Sequence, residues 1–323
     1  MRWLILGAGG IGGYYAARLA AAGEHVTVTS RGEHLAVIQK YGLTLLWEGG
    51  ELQQPLQAVD HPSLIREFHA NDFDVLILAM KAGATDEVML ELSGWLASAN
   101  VPVLSLQNGV DNEKIIADKI GIGRTLGGLV IKIGGHVVAP GVVSAEGEAR
   151  IVMGIWPHNT GLGDRRLPLL KKMELAFAAA GIAAEISDNI SHALWRKLII
   201  NNGVNPLSAL TGLNTRQLTH HPEFRHIVLG MMNEVIVASS ADGVMLNSQD
   251  RDDMFVLISE FNAIKTSMLV DVEKRRTLEV DAICGVVIER CKAVNYDPCY
   301  TITVSTLLKQ NLLSHIRTSP DIL

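Results

Sequence analysis

The chain has 323 residues, 48% of them hydrophobic, which is enough apolar material for two domains of about 150 residues each. A formal net charge of -6 and a pI near 6.0 leave no basic footprint for nucleic acid or an anionic membrane, so the expected partner is a small molecule. Cys284, Cys291 and Cys299 form neither a disulfide framework nor a C-x-x-C zinc half-site, and they fit a reducing cytoplasm.

Leu4-Ile5-Leu6 runs into Gly7-Ala8-Gly9-Gly10-Ile11-Gly12 and an Ala-rich stretch to Gly23, which predicts a strand, a glycine turn and a helix. Arg2 before this apolar run superficially resembles a signal peptide, but the glycines interrupt the run, and no run approaches the ~18 residues of a membrane span. The order suits a dinucleotide pyrophosphate. Gly7 allows the tight turn, Gly9 lets backbone approach phosphate, and Gly12 lets helix pack on strand. The amides that open the helix, among them those of Gly10 and Ile11, would face the anion along the helix dipole. The next strand, 25–29, lacks the terminal acid that would bind a ribose 2′-hydroxyl and runs into Ser30-Arg31 instead. An Arg fork there can clamp a 2′-phosphate, which favours NADP(H).

Buried strands and amphipathic helices then alternate, the pattern of a parallel sheet wound on both faces. A short helix is expected after Arg31, with strands at 43–46 and 51–56 around Gly49-Gly50. Residues 74–80 read as a buried strand delivering Lys81, 84–97 as a helix, and 101–106 as a strand ending at Gln107-Asn108-Gly109. Ligands in open α/β sheets sit at the carboxyl ends of strands, which puts Lys81 and Asn108 where a cofactor or substrate would be. Residues 125–154, rich in Gly and Val, are expected to complete the sheet with antiparallel strands, followed by a helix over 167–180.

At Asp188 the texture becomes helical, dividing an expected α/β domain of residues 1–187 from a helical one of residues 188–323. Helix starts are expected at Asp188, Pro222 and Ser248, with further helices near Glu279 and Thr301. Lys197, Asn201 and Asn205 are four apart and form one polar ridge on an otherwise apolar helix. Burying them unpartnered would cost several kcal/mol, so the ridge is expected to face a cleft, with an ordinary solvated face as the competing reading. A structural ion pair of Lys197 with Glu279 is the plain alternative to catalysis. His220, His221 and His226 straddle a helix start on different faces, which argues against a metal site. Met231, Met232 and Met245 read as core or subunit interface, compatible with a homodimer.

Gly7 to Gly12, Lys81-Ala82, Asn108-Gly109, Leu194-Trp195-Arg196-Lys197-Leu198 through Asn205-Pro206-Leu207, Thr266-Ser267-Met268-Leu269 and Glu279-Val280-Asp281 together resemble the ketopantoate reductase (2-dehydropantoate 2-reductase) family. The resemblance spans nearly the whole chain. It implies an α/β Rossmann-type doubly wound sheet domain followed by an all-α domain, and NADPH-dependent reduction of ketopantoate to pantoate in pantothenate biosynthesis. It implies Lys197 as general acid, with Glu279 orienting it or the substrate hydroxyl. It further implies Asn201, Asn205 and Ser267 as substrate-binding residues, Lys81 and Asn108 as lining the nicotinamide and substrate end, and Arg31 as the 2′-phosphate contact. Hydride addition to a ketone leaves charge on oxygen, which needs such a proton or fixed cation.

One position departs from the family. Where a substrate-contacting Asn usually stands, four residues before Met268, this chain has Ile264, and Asn262 would lie about 200° away on a helix. Polar recognition discriminates strongly between substrates, so a related hydroxy acid oxidoreductase with another substrate is the first alternative. A non-catalytic NADP(H)-binding sensor is the second, although cofactor binding alone needs none of Lys197, Asn201, Asn205, Ser267 and Glu279. No Tyr-x-x-x-Lys pair supports a short-chain dehydrogenase mechanism.

Overall fold

The computed structural model describes residues 1–131, 133–158, 161, 163–260 and 263–318. They divide into two compact units, drawn from residues 1–107 with 111–191 and from residues 108–110 with 192–318. The first begins with β1 (Arg2–Leu6), α1 (Gly10–Ala21), β2 (His25–Thr29), α2 (Gly32–Tyr41), β3 (Leu43–Trp47), β4 (Gly50–Gln54), β5 (Gln57–Val59) and α3 (His61–Glu67). It continues through β6 (Val75–Leu78), α4 (Thr85–Glu91), α5 (Ser93–Leu96), β7 (Val103–Ser105), α6 (Asn112–Ile120) and β8 (Thr125–Ile131). β9 (Gly134–Ala139), β10 (Val142–Glu146), β11 (Arg150–Ile155), α7 (Leu167–Ala179) and β12 (Ala183–Ser187) follow.

The main sheet has the order β12-β11-β8-β7-β6-β1-β2-β5 and is parallel except where β8 meets β11. The side chains of β1 show why helices cover both faces. Trp3 and Ile5 enter one core with Tyr15 of α1 and Phe177 of α7, whereas Leu4 and Leu6 enter another with Leu64, Val88 and Ile116 of α3, α4 and α6. A strand buried on both faces reads as a continuous apolar run, as Leu4-Ile5-Leu6 does.

Segment 125–154 completes that sheet only through β8 and β11. β9 and β10 leave it for a second sheet of order β4-β3-β10-β9, which also takes both strands around Gly49-Gly50. The cause lies in α1, whose residues 12–17 are all buried and whose outer side therefore needs a cover as well. A Cβ on Gly13 would lie 2.9 Å from Val143 and 3.3 Å from Leu43, side chains of that second sheet. The helix expected over 84–97 is interrupted at Leu92, between α4 and α5.

The second unit is helical, with most of α8 (Ile190–Thr211), then α9 (Thr215–His220), α10 (Pro222–Ala241), α11 (Ser248–Glu260), α12 (Ser267–Glu273), a π-helical turn (Asp281–Gly285), α13 (Val286–Ala293) and α14 (Cys299–Thr318). Buried polar side chains pin these helices. Asn202 of α8 donates to the Met231 carbonyl at 3.1 Å and to the Thr301 hydroxyl at 3.0 Å. Glu234 of α10 accepts the N–H groups of Tyr300 and Thr301 at 2.8 and 2.7 Å, satisfying donors at the start of α14. Met231 and Met232 are core residues and Met245 is exposed. No helix among the described residues is long and apolar enough to cross a membrane.

Candidate active site

In the first unit, Gly7 turns the chain out of β1 at φ 100°, a conformation open to glycine. The end of β2 fixes the loop. The Gly7 N–H donates to the Thr29 hydroxyl at 3.0 Å and the Ala8 N–H to the Thr29 carbonyl at 2.9 Å. A Cβ on Gly12 would overlap the Gly7 carbonyl oxygen, and one on Gly10 would overlap the Gly135 backbone of β9, so both residues serve packing. At Gly9 the Cβ position is open, with nothing within 4 Å. The first turn of α1 carries no acid, and its leading amides, those of Gly10, Ile11 and Gly12, have no intrahelical acceptor. Uncrowded backbone beside an acid-free helix start fits a phosphate.

A cavity of about 290 Å³ opens there, lined by Gly7, Gly9, Ser30, Arg31 and His34 among others. Arg31 is exposed and stands at the N-cap of α2. It also lines a neighbouring cavity of about 250 Å³ with Asp60, His61, Glu87 and Glu91. Two of those acids are engaged. Asp60 accepts the Ser63 N–H at 2.8 Å, a bond that holds its carboxyl below the usual range, and Glu91 meets His61 Nδ1 at 2.7 Å. Lys81 follows β6 and is exposed. Behind it lies a buried polar chain that sequence reasoning missed: Gln107 donates to the Thr85 hydroxyl, which donates to Asn112, each at 2.8 Å.

In the second unit α8 carries Lys197, Asn201 and Asn205 on one ridge, the first two half-buried and Asn205 buried. Lys197 Nζ donates to Asn108 Oδ1 at 3.1 Å, and Asn108 Nδ2 donates to Glu279 Oε2 at 3.0 Å. A neutral amide thus bridges the ammonium and the carboxylate. Gly109 makes this approach feasible: its φ is 95°, and a Cβ there would stand 2.9 Å from the Ala282 carbonyl oxygen in the π-helical turn. Such turns are frequent at functional sites. Arg196 fixes α8 on α11 through Asp250 and Asp253, each at 3.1 Å.

Ser267 is exposed in the first turn of α12, after Thr266, whose hydroxyl accepts the Leu269 N–H at 3.2 Å. Ile264 is 47% exposed, and its carbonyl accepts the Thr215 N–H at 3.0 Å. Asn262 lies outside the described residues. His226 bonds the Tyr300 hydroxyl at 2.9 Å, and among the described residues no cluster of His, Cys, Asp and Glu could hold a metal ion.

Residues 3–158 match the family model of ketopantoate reductase PanE/ApbA, and residues 189–311 match its C-terminal counterpart. The chain belongs to the ketopantoate reductase family. It is 30% identical over 333 residues to a 2-dehydropantoate 2-reductase of Mesorhizobium japonicum, covering 97% of this chain and 98% of the relative. A PanE/ApbA family ketopantoate reductase from Ralstonia eutropha JMP134 has a similar crystal structure, with a TM-score of 0.82, 27% identity and coverage of 96% and 98%. A ternary structure of D-mandelate dehydrogenase with NADH and anilino(oxo)acetate shares the fold at 23% identity, with a TM-score of 0.85 and coverage of 97% and 99%. This ketopantoate reductase family member is an oxidoreductase of the 2-dehydropantoate 2-reductase type, acting on CH–OH groups.

Proposed function

We propose that the chain reduces a small 2-oxo acid to the 2-hydroxy acid with NADPH, with 2-dehydropantoate as the favoured substrate, a cytoplasmic step of pantothenate biosynthesis. The observation that carries this reading is the Lys197–Asn108–Glu279 chain beside the Asn201 and Asn205 ridge. When bound, the nicotinamide supplies hydride to the carbonyl carbon.

The protein's residues handle the rest. Lys197 donates a proton to the carbonyl oxygen as negative charge develops on it. Asn108 accepts one ammonium hydrogen and is itself held by Glu279, which fixes the direction of the ammonium. Asn201, Asn205 and Ser267 offer amide and hydroxyl donors to the substrate carboxylate and hydroxyl. The amides opening α1 receive the pyrophosphate, Arg31 receives the 2′-phosphate, and Lys81 serves the nicotinamide end.

Ile264 supports a second reading at the level of substrate: an apolar, partly exposed side chain stands where an Asn is usual, so a related 2-oxo acid competes with 2-dehydropantoate. Following NADPH oxidation with 2-dehydropantoate and with a panel of branched and aromatic 2-oxo acids separates the two. Turnover of 2-dehydropantoate above all others supports the first, a preference for another acid supports the second, and cofactor binding without any turnover supports a sensor.

A further inference from the structure

We infer that His34 is a positioning residue of the dinucleotide pocket, pinning the glycine-rich loop to the hairpin of β9 and β10 through a neutral imidazole. His34 lies in the first turn of α2, half-buried, and lines the same cavity as Gly7, Gly9 and Arg31. Its ring is held from both sides. Nδ1 accepts the N–H of Gly141, which stands between β9 and β10, at 2.8 Å, and Nε2 lies 2.8 Å from the Ala8 carbonyl oxygen.

These two bonds fix the tautomer. An amide N–H can only donate, so Nδ1 is bare, and the ring proton sits on Nε2 and donates to Ala8. The hairpin held in this way is not remote from the loop: Gly135 of β9 packs on Gly10, and Val137 lines the cavity. One side chain therefore spans the two backbone segments that bound the phosphate cradle, the glycine turn and the hairpin. Without it, Ala8 and Gly141 each lose a partner, and the open space at Gly9 is no longer held to a fixed width. Because ordering a loop on binding costs affinity, the loss appears in cofactor binding rather than in the chemical step.

This inference rests on the cofactor reading above, and the test separates the two. NADPH dissociation constants, kcat, both KM values and apo-protein melting temperatures are measured for wild type, His34→Ala and His34→Gln, with hydrogen exchange followed at the Gly141 amide. Gln carries an adjacent acceptor and donor, and can reproduce both bonds. The expected result is tight NADPH binding by wild type, a roughly tenfold weaker dissociation constant for H34A, and recovery to within about threefold in H34Q. The kcat at saturating cofactor and the KM for the oxo acid stay within about twofold in both, and Gly141 exchange accelerates only in H34A. H34A binding NADPH as tightly as wild type, or H34Q binding as weakly as H34A while both melt like wild type, overturns the role of His34. Absence of NADPH binding by wild type overturns the cofactor reading instead.

Discussion

Lys197 donates to Asn108 across 3.1 Å although 89 positions separate them in the chain, and the amide so engaged donates in turn to Glu279. A primary amide suits the middle of such a chain because it accepts from a cation at one end and donates to an anion at the other. It orders the ammonium without consuming all of its three donors.

From this follows the first prediction. Lys197→Ala removes the proton donor and is expected to lower kcat by about a thousandfold, with the NADPH dissociation constant within about twofold. Stopped-flow turnover alongside fluorescence titration of the cofactor checks it. A kcat that stays near wild type would take Lys197 out of the chemistry.

Asn108→Ala keeps both charged partners but removes the bridge. Charge-assisted hydrogen bonds contribute about 1.5–3 kcal/mol each, so kcat is expected to drop roughly ten- to a hundredfold. Glu279→Gln, which keeps a hydrogen-bond acceptor but loses the charge, is expected to fall between Asn108→Ala and wild type. Steady-state kinetics of the two variants, with circular dichroism to verify folding, supply the comparison.

Arg31→Ala tests the choice of cofactor. The 2′-phosphate is the difference between NADPH and NADH, and a guanidinium contact to it is worth about tenfold to a hundredfold in binding. NADPH affinity should fall by that factor while NADH affinity stays put. Equal losses for both cofactors would assign Arg31 to the shared adenosine instead.

Much of this was legible in the sequence where a residue type has one steric or chemical task. Gly7 and Gly12 could be assigned because a turn and a helix-strand contact exclude side chains, and Lys197, Asn201 and Asn205 because polar groups at helical spacing stand out from apolar neighbours. Gly10 was less transparent: its neighbour is Gly135, on a strand whose partner sheet no periodicity specifies. The Gly- and Val-rich composition of 125–154 points to strands, but not to β9 and β10 covering α1 instead of joining β8. Asn108 could be placed at the end of a strand, whereas its bridge between Lys197 and Glu279 depends on Gly109 meeting the π-helical turn, a contact made only in three dimensions. His34 looks like an ordinary polar residue of a surface helix, and nothing local announces its two backbone partners.

Glu113 provides a test of stability. It is fully buried in the first turn of α6, and burial, only partly offset by Ser105 and the Gly128 backbone, pushes its carboxyl up to about 8. An unfolded Glu titrates near 4.3, so between the two values the folded protein holds a proton that the unfolded chain releases. Its contribution is therefore fully present below about pH 4 and is lost as pH rises toward 8. Glu113→Gln, which carries no ionisable proton, should flatten that decline and exceed wild type in stability above pH 8, by an amount on the order of a few kcal/mol. Denaturant melts from pH 5 to 9 give the two curves; parallel curves would show that Glu113 does not govern the loss.

Isotope transfer probes the proposed reaction most directly. NADPH deuterated at the transferring C4 position, incubated with the enzyme and 2-dehydropantoate or the preferred acid of the panel, is expected to yield a 2-hydroxy acid carrying one deuterium at C2, with its formation slowed about a thousandfold in Lys197→Ala. Failure of wild type to produce a deuterated hydroxy acid from any 2-oxo acid, despite binding NADPH, would contradict hydride transfer as the function of this chain.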